Sequence, residues 1–225
     1  MTFVEHLEEL RRRLIVSLHA VFLAAGILWG WSGAILTWLA RPAGSLVFLA
    51  PTEAFFIRLK VAFLAGLFLS LPVILYQTWA FTACAMGEGT RRIVRLILPV
   101  SYLLFLAGSA LCLFVVVPAA VRFLAACGTE NVRPMLAVGA YVDFVSAMTL
   151  AFGAVFQIPL ILIFLQRFGL VSTAELADKR PYIYVSIFTA AAFLTPGPDV
   201  FSQLALAFPM CLLFELSLLV MRLQD

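Results

Sequence analysis

Residues 5 to 13, EHLEELRRR, place three glutamates, a histidine and three arginines within one short stretch. Fixed carboxylates recognise guanidinium groups through charge-assisted, often bidentate hydrogen bonds, so this cluster has the chemistry to bind an arginine-bearing ligand. Glu5 and Glu9 share a helix face at i, i+4, and Glu9 reaches Arg13 at the same spacing. Plainer roles compete. Thr2 and Glu5 match a capping box, and Glu8 and Arg12 are spaced for an ordinary solvated ion pair. The cluster therefore either anchors the end of a helix or reads a ligand, and the surrounding chain must decide.

Other chemistry is sparse. His19 lies inside the first apolar run, where a lone histidine is expected to pack or sit at an interface. Cys84, Cys112, Cys127 and Cys211 fall in different segments without a CxxC pair, which supports neither a metal site nor a disulfide framework. No GxSxG, HExxH or glycine-rich phosphate loop occurs, so no catalytic residue, cofactor or metal is expected. The polar residues in apolar surroundings are Gln157, Gln203, Glu215 and, near a span end, Asp143, too few for a proton relay. Gln157 precedes Pro159 in AFGAVFQIPL; its amide either satisfies carbonyls loosened by the proline or offers a docking point to another chain's helix. Glu215 is expected to pair with an arginine.

The elements that must position these residues follow from composition. The chain is 64% hydrophobic and 12% charged, with a mean hydropathy of +1.09, against roughly a quarter charged in soluble domains. A net charge of +3 does not suggest nucleic acid. Apolar runs predict an all-α polytopic membrane protein with six spans, at about 14–39, 61–81, 96–117, 142–164, 182–194 and 200–221. The first run is too long for a signal-peptide core and no small-residue cleavage site follows it. The fifth, between Pro181 and Pro196, is too short to cross a bilayer without tilt or local thinning.

Orientation follows from the cations. One side holds Arg11, Arg12, Arg13, Arg91, Arg92, Arg95, Arg167, Lys179, Arg180 and Arg222; the other holds Arg41, Arg58, Lys60, Arg122 and Arg133. The positive-inside rule then puts both termini in the cytoplasm. The connection RPAGSLVFLAPTEAFFIRLK is an amphipathic outer segment with interfacial aromatics, and TPGPDV forms a tight outer turn. The absence of an internal repeat argues for one domain, residues 1–225, and against a secondary transporter or channel. A structural assembly subunit would explain the polar patches but not the acidic cluster.

The opening FVEHLEELRRRL resembles the N-terminal signature of the TatC family, the multi-spanning receptor subunit of the twin-arginine protein translocase. Four further stretches match in order: PTEAFFIRLKVAF at 51–63, LPVILYQTWAF at 71–81, KRPYIYV at 179–185 and LTPGPDVFSQ at 194–203. The resemblance covers essentially the whole chain. It implies a non-enzymatic role and a cupped arrangement of six helices, the last two short. It further implies twin-arginine signal-peptide binding at the cytoplasmic face and assembly with TatA, TatB and further copies of the chain. Export of folded precursors across the inner membrane would be driven by the proton-motive force.

Carried over residue by residue, Glu9 matches the family's signal-peptide-contacting glutamate, with Glu8, Arg11 and Arg13 beside it. The second acidic contact, usually a glutamate directly before the basic pair, is Thr90 here, and Glu88 between Gly87 and Gly89 is the nearest acid. Cys84 replaces a common loop proline, and Gln157 stands where many members carry glutamate. Thr195 and Gln203 match the polar cluster that receives partner helices, and Asp199 matches the outer-turn aspartate. The short helices are expected to thin the bilayer locally.

Overall fold

A computed structural model describes residues 3–86, 91–126, 136–195 and 200–224. In chain order its elements are α1 (Phe3–Leu28), a 3₁₀ turn at Trp29–Trp31, α2 (Ser32–Ala40), β1 (Leu46–Val47), α3 (Glu53–Met86) and α4 (Arg91–Leu111). A π-helical turn at Cys112–Val116 leads into α5 (Val117–Ala126), followed by β2 (Leu136–Ala137), α6 (Val138–Val155) and α7 (Ile158–Arg167). The chain ends with α8 (Thr173–Asp178), α9 (Arg180–Leu194) and α10 (Val200–Gln224). Five helical segments are long and apolar enough to cross a membrane: Val4–Ala43, Glu53–Thr82, Leu96–Leu124, Val138–Arg167 and Val200–Leu223. The sixth, α9, has 15 residues, or about 22 Å at 1.5 Å per residue, short of a 30 Å core. The six segments agree with the sequence expectation, including the short fifth.

Two boundaries differ from it. The second span begins at Glu53 rather than near Val61, so Arg58 and Lys60 stand on a helix and not in a loop. Charges at that spacing are tolerated because long cationic side chains keep their heads at the interface while their stems lie along the helix. The fourth span is interrupted at Phe156–Gln157. Pro159 has no N–H to give the carbonyl four residues back, and the chain tightens there into a Gln157 N–H to Ala154 carbonyl bond of 3.0 Å.

Contacts group the chain into two compact units, residues 1–103 with 136–142, and residues 104–135 with 143–225. In the first, α1 and α3 run antiparallel and close together: a Cβ at Gly66 would fall 2.6 Å from the backbone nitrogen of Ala25. Small residues permit that approach, and side chains fill in on either side of it, as with the edge-to-face pair Phe22–Phe63 at 5.1 Å. The Trp79 indole N–H donates to the Ser101 hydroxyl at 3.0 Å, and Tyr141 donates to the Leu39 carbonyl at 2.8 Å. Polar groups buried in such a unit need these partners.

β1 and β2 pair in parallel, Leu46 with Leu136 and Val47 with Ala137. Beside them the Glu53 carboxylate accepts backbone N–H groups from Leu49 (2.6 Å) and Ala50 (3.4 Å) through one oxygen and from Gly139 (2.9 Å) through the other. It thus fastens the start of α3 to the start of α6. A Cβ at 139 would lie 2.5 Å from Glu53 Oε1, so a side chain there would displace the carboxylate from its backbone donors.

In the second unit, glycine and phenylalanine alternate across the contact of α4 with α6. Gly108 faces the Phe152 carbonyl and the Phe156 ring, and a Cβ at Gly153 would fall 2.5 Å from the Phe105 ring. α10 packs on α7 and α9 through a core that includes Leu206, Ala207, Leu218 and Met221, all fully or almost fully buried. α7 ends in a Schellman motif, with Gly169 at φ +68 and the Leu170 N–H returning 3.0 Å to the Leu165 carbonyl.

Candidate functional site

The amino-terminal turns of α1 and the carboxy-terminal half of α3 bring the opening cluster together. Arg13 Nη2 lies 2.5 Å from Glu9 Oε1, as the i, i+4 spacing predicts. The second guanidinium nitrogen, Nη1, donates to Gln77 Oε1 on α3 at 3.1 Å. Nearer the start of α1 and one turn further along α3, His6 stacks on Phe81 with ring centroids 4.4 Å apart. His6, Glu9 and Arg13 share a face of α1, and Gln77 and Phe81 share a face of α3 at i, i+4.

The chemistry of this cluster is directional. Arg13 and Glu9 retain 19% and 24% of their side-chain exposure, so the pair is partly shielded from solvent screening. Glu9 Oε2 has no hydrogen-bond partner among the described residues. One carboxylate oxygen is therefore held in place by Arg13, itself tied to α3, while the other remains an open acceptor.

The remaining sequence-predicted residues separate. Glu8 and Arg11 line a recess on another face of α1 with Arg12, Ile15 and Val16. The Glu8–Arg12 ion pair is not formed; an exposed pair of this kind gains little over water. Glu5 is engaged, while its capping partner Thr2 lies outside the described residues. His19 sits on an exposed face with Nδ1 2.8 Å from the Ile15 carbonyl of its own helix.

Gln157 is 9% exposed at the α6–α7 break. Thr195 is buried and donates to the Ala191 carbonyl at 3.0 Å, ending α9. Gln203 on α10 donates to the Phe188 carbonyl on α9 at 3.2 Å. Thr195 and Gln203 therefore belong to the α9–α10 pair. Glu88, Thr90 and Asp199 lie outside the described residues. Glu215 accepts from Arg180 at 2.9 Å and from the Tyr184 hydroxyl at 2.5 Å, the expected ion pair with one added hydrogen bond.

Two residues were not singled out from the sequence although both lie in the quoted stretches. Gln77 was marked only by being an amide inside an apolar run, one turn from Phe81. Glu53 was marked only by its position at a helix start after a proline and a threonine.

The TatC family model, Sec-independent protein translocase protein, matches residues 5–209. The Sec-independent protein translocase protein TatC of Carboxydothermus hydrogenoformans is 36% identical over 224 residues, covering 98% of this chain and 92% of that one. The protein of the same description from Escherichia coli K12 is 40% identical, with 97% and 87% covered. A crystal structure of the twin arginine translocase receptor TatC matches with a TM-score of 0.84 at 35% identity, over 97% of this chain and 98% of that one. The chain, a multi-pass helical membrane protein, belongs to the TatC family of Sec-independent protein translocase proteins.

Proposed function

We propose that the chain is the core receptor subunit of a twin-arginine translocation complex. In this reading it is one membrane domain with both termini cytoplasmic, supported by the uneven placement of its cations. It binds the signal peptides of folded precursors at that face and assembles with TatA, TatB and further copies of itself. The proton-motive force drives export.

One observation carries the binding role: Glu9 offers an open carboxylate oxygen while its other oxygen is fixed by Arg13. An incoming guanidinium meets an acceptor already oriented. Arg13 is a positioning residue, and Gln77 holds it from α3. Glu88 is the second acid in this reading, taking the place of the glutamate replaced by Thr90. A charge-assisted hydrogen bond of this type contributes about 1.5–3 kcal/mol, or roughly 10- to 100-fold in affinity. Neutral signal-peptide residues cannot form it. Lysine forms it without the bidentate geometry.

The α9–α10 pair with Thr195 and Gln203, together with Gln157 at the α6–α7 break, is the partner-helix region in this reading, and Asp199 serves the outer turn. The short α9 thins the bilayer beside it. Lengthening α9 by about one turn should impair export; unchanged export would remove that part.

The direct test is crosslinking from a photoreactive residue at Glu8 to a twin-arginine precursor and to its twin-lysine version. A strong adduct with the arginine form, lost in Glu9→Lys, is the expected result. Equal adducts with both forms in an assembled complex would make the cluster an anchor.

A further inference from the structure

Glu8 and Arg11 lie on other faces of α1 than Glu9. At about 100° per residue, Arg11 stands about 200° from Glu9 and Glu8 about 100° from it. Together with Arg12, Ile15 and Val16 they line a recess of about 320 Å³ on the surface of α1. Neither Arg11 nor Arg12 has an ion pair or hydrogen bond among the described residues. These two guanidinium groups thus differ from Arg13, which is doubly engaged.

Depth identifies what meets them. From Leu14 onward this side of α1 is apolar and exposed: Leu14 is 66%, Ile15 42%, Val16 41% and Leu18 53% accessible. Only 11% of the most apolar window of the first span is buried within the chain. The apolar residues lie where acyl chains lie, and Arg11 and Arg12, one turn earlier, fall at the level of the headgroups. Among the described residues the recess pairs two cations with one carboxylate, above an apolar floor.

We propose that this recess binds one phospholipid. Its phosphate is held by Arg11 and Arg12, its ammonium headgroup by Glu8, and its acyl chain lies along Ile15 and Val16. Guanidinium groups match phosphate oxygens in bidentate geometry. Glu8 sets the headgroup: a phosphate with an attached amine matches the charges of Arg11, Arg12 and Glu8, whereas a glycerol headgroup leaves Glu8 without a cation. Phosphatidylethanolamine is therefore the ligand class. The assignment does not depend on where the signal peptide binds.

The test is native mass spectrometry of the full chain in detergent, titrated with dioleoyl-phosphatidylethanolamine or dioleoyl-phosphatidylglycerol. The unmodified chain should retain the ethanolamine lipid better. R11Q/R12Q should weaken retention of both lipids by about tenfold or more, R11K/R12K should give a smaller loss because the charge stays while the bidentate geometry goes, and E8Q should abolish the ethanolamine preference. Glu8, Arg11, Arg12 and Arg222 are all exposed, so an unchanged melting temperature identifies variants that remain folded. R222Q serves as the control for non-specific charge.

Four results would overturn the assignment. One is retention in R11Q/R12Q equal to that of the unmodified chain, and another is an equal loss in R222Q. The third is displacement of the lipid by millimolar inorganic phosphate, which would make the recess a free-anion site. The fourth is efficient I15C–I15C disulfide formation between copies in vesicles, which would make it a chain–chain contact.

Discussion

Glu9 and Glu53 stand near opposite ends of the antiparallel pair α1–α3, and each carboxylate is held in a defined position. The means differ. Glu53 spends both oxygens on backbone N–H groups, from Leu49 and Ala50 on one side and Gly139 on the other. Glu9 is held through one oxygen by a side chain, Arg13, which is steadied by a second side chain, Gln77. A backbone donor cannot move without moving the fold, so Glu53 is a fastener. A side-chain partner can be shared with a newcomer at the cost of a rotamer change, so Glu9 is suited to receive a ligand. Charge alone does not separate a structural carboxylate from a receptive one; the mobility of its partners does.

Variants can break or sharpen this contrast. The largest expected effect is on binding. Glu9→Lys should reduce twin-arginine precursor affinity by roughly 100-fold or more, because it removes an acceptor and adds a repelling charge. It should change the melting temperature little, since a surface i, i+4 pair contributes only about 0.3–0.5 kcal/mol. A precursor titration beside a thermal melt reads both; a large loss of stability with normal binding would invert the assignment.

Glu53→Ala should show the opposite signature. The melting temperature should fall by several degrees and amide exchange at Gly139 should quicken, while precursor affinity of the folded fraction holds. Should affinity fall as steeply as for Glu9→Lys, the two carboxylates are not separable in this way.

Gly139→Ala tests the same fastener from the other side. Its Cβ would meet Glu53 Oε1 at 2.5 Å, and overpacking of this kind costs about 1–3 kcal/mol. Combining it with Glu53→Ala should give less than the sum, because the clash disappears with the carboxylate. Strict additivity would show that Gly139 is needed for another reason.

The smallest effect belongs to Gln77→Leu, which removes the support of Arg13 and leaves the Glu9–Arg13 pair intact. Precursor affinity should fall about 3- to 10-fold, in line with one neutral hydrogen bond. The precursor titration that reads Glu9→Lys also reads this variant, and a normal affinity would confine Gln77 to helix packing.

How much of this was legible beforehand depends on the range of the interaction. The i, i+4 approach of Glu9 to Arg13 followed from helix geometry alone, and so did the short α9 between its prolines. The Glu215 ion pair was expected in kind, but not with Arg180 and Tyr184 as its particular partners. Nothing local marked Gln77 as the residue across from Arg13, because the two are 64 positions apart. The start of α3 was misplaced because Arg58 and Lys60 break the apolar run, although a helix tolerates them at an interface. The Glu8–Arg12 spacing allowed an ion pair that the exposed face does not form.

The sequence by itself determined that this multi-pass protein of the inner membrane has six apolar helices, that its cations fall unevenly between the two sides, and that an acidic cluster precedes the first span. Those properties depend on hydrophobicity, charge and short-range spacing, which the order of residues carries directly. Tertiary structure alone decided which carboxylate is consumed and which is open, through the Glu53–Gly139 bond across 86 positions and the Arg13–Gln77 bond across 64. Such pairings require two distant backbones to be brought within hydrogen-bond reach. Close α1–α3 contact, made possible by Gly66, and the β1–β2 pairing next to Gly139 achieve that, and no local pattern records it.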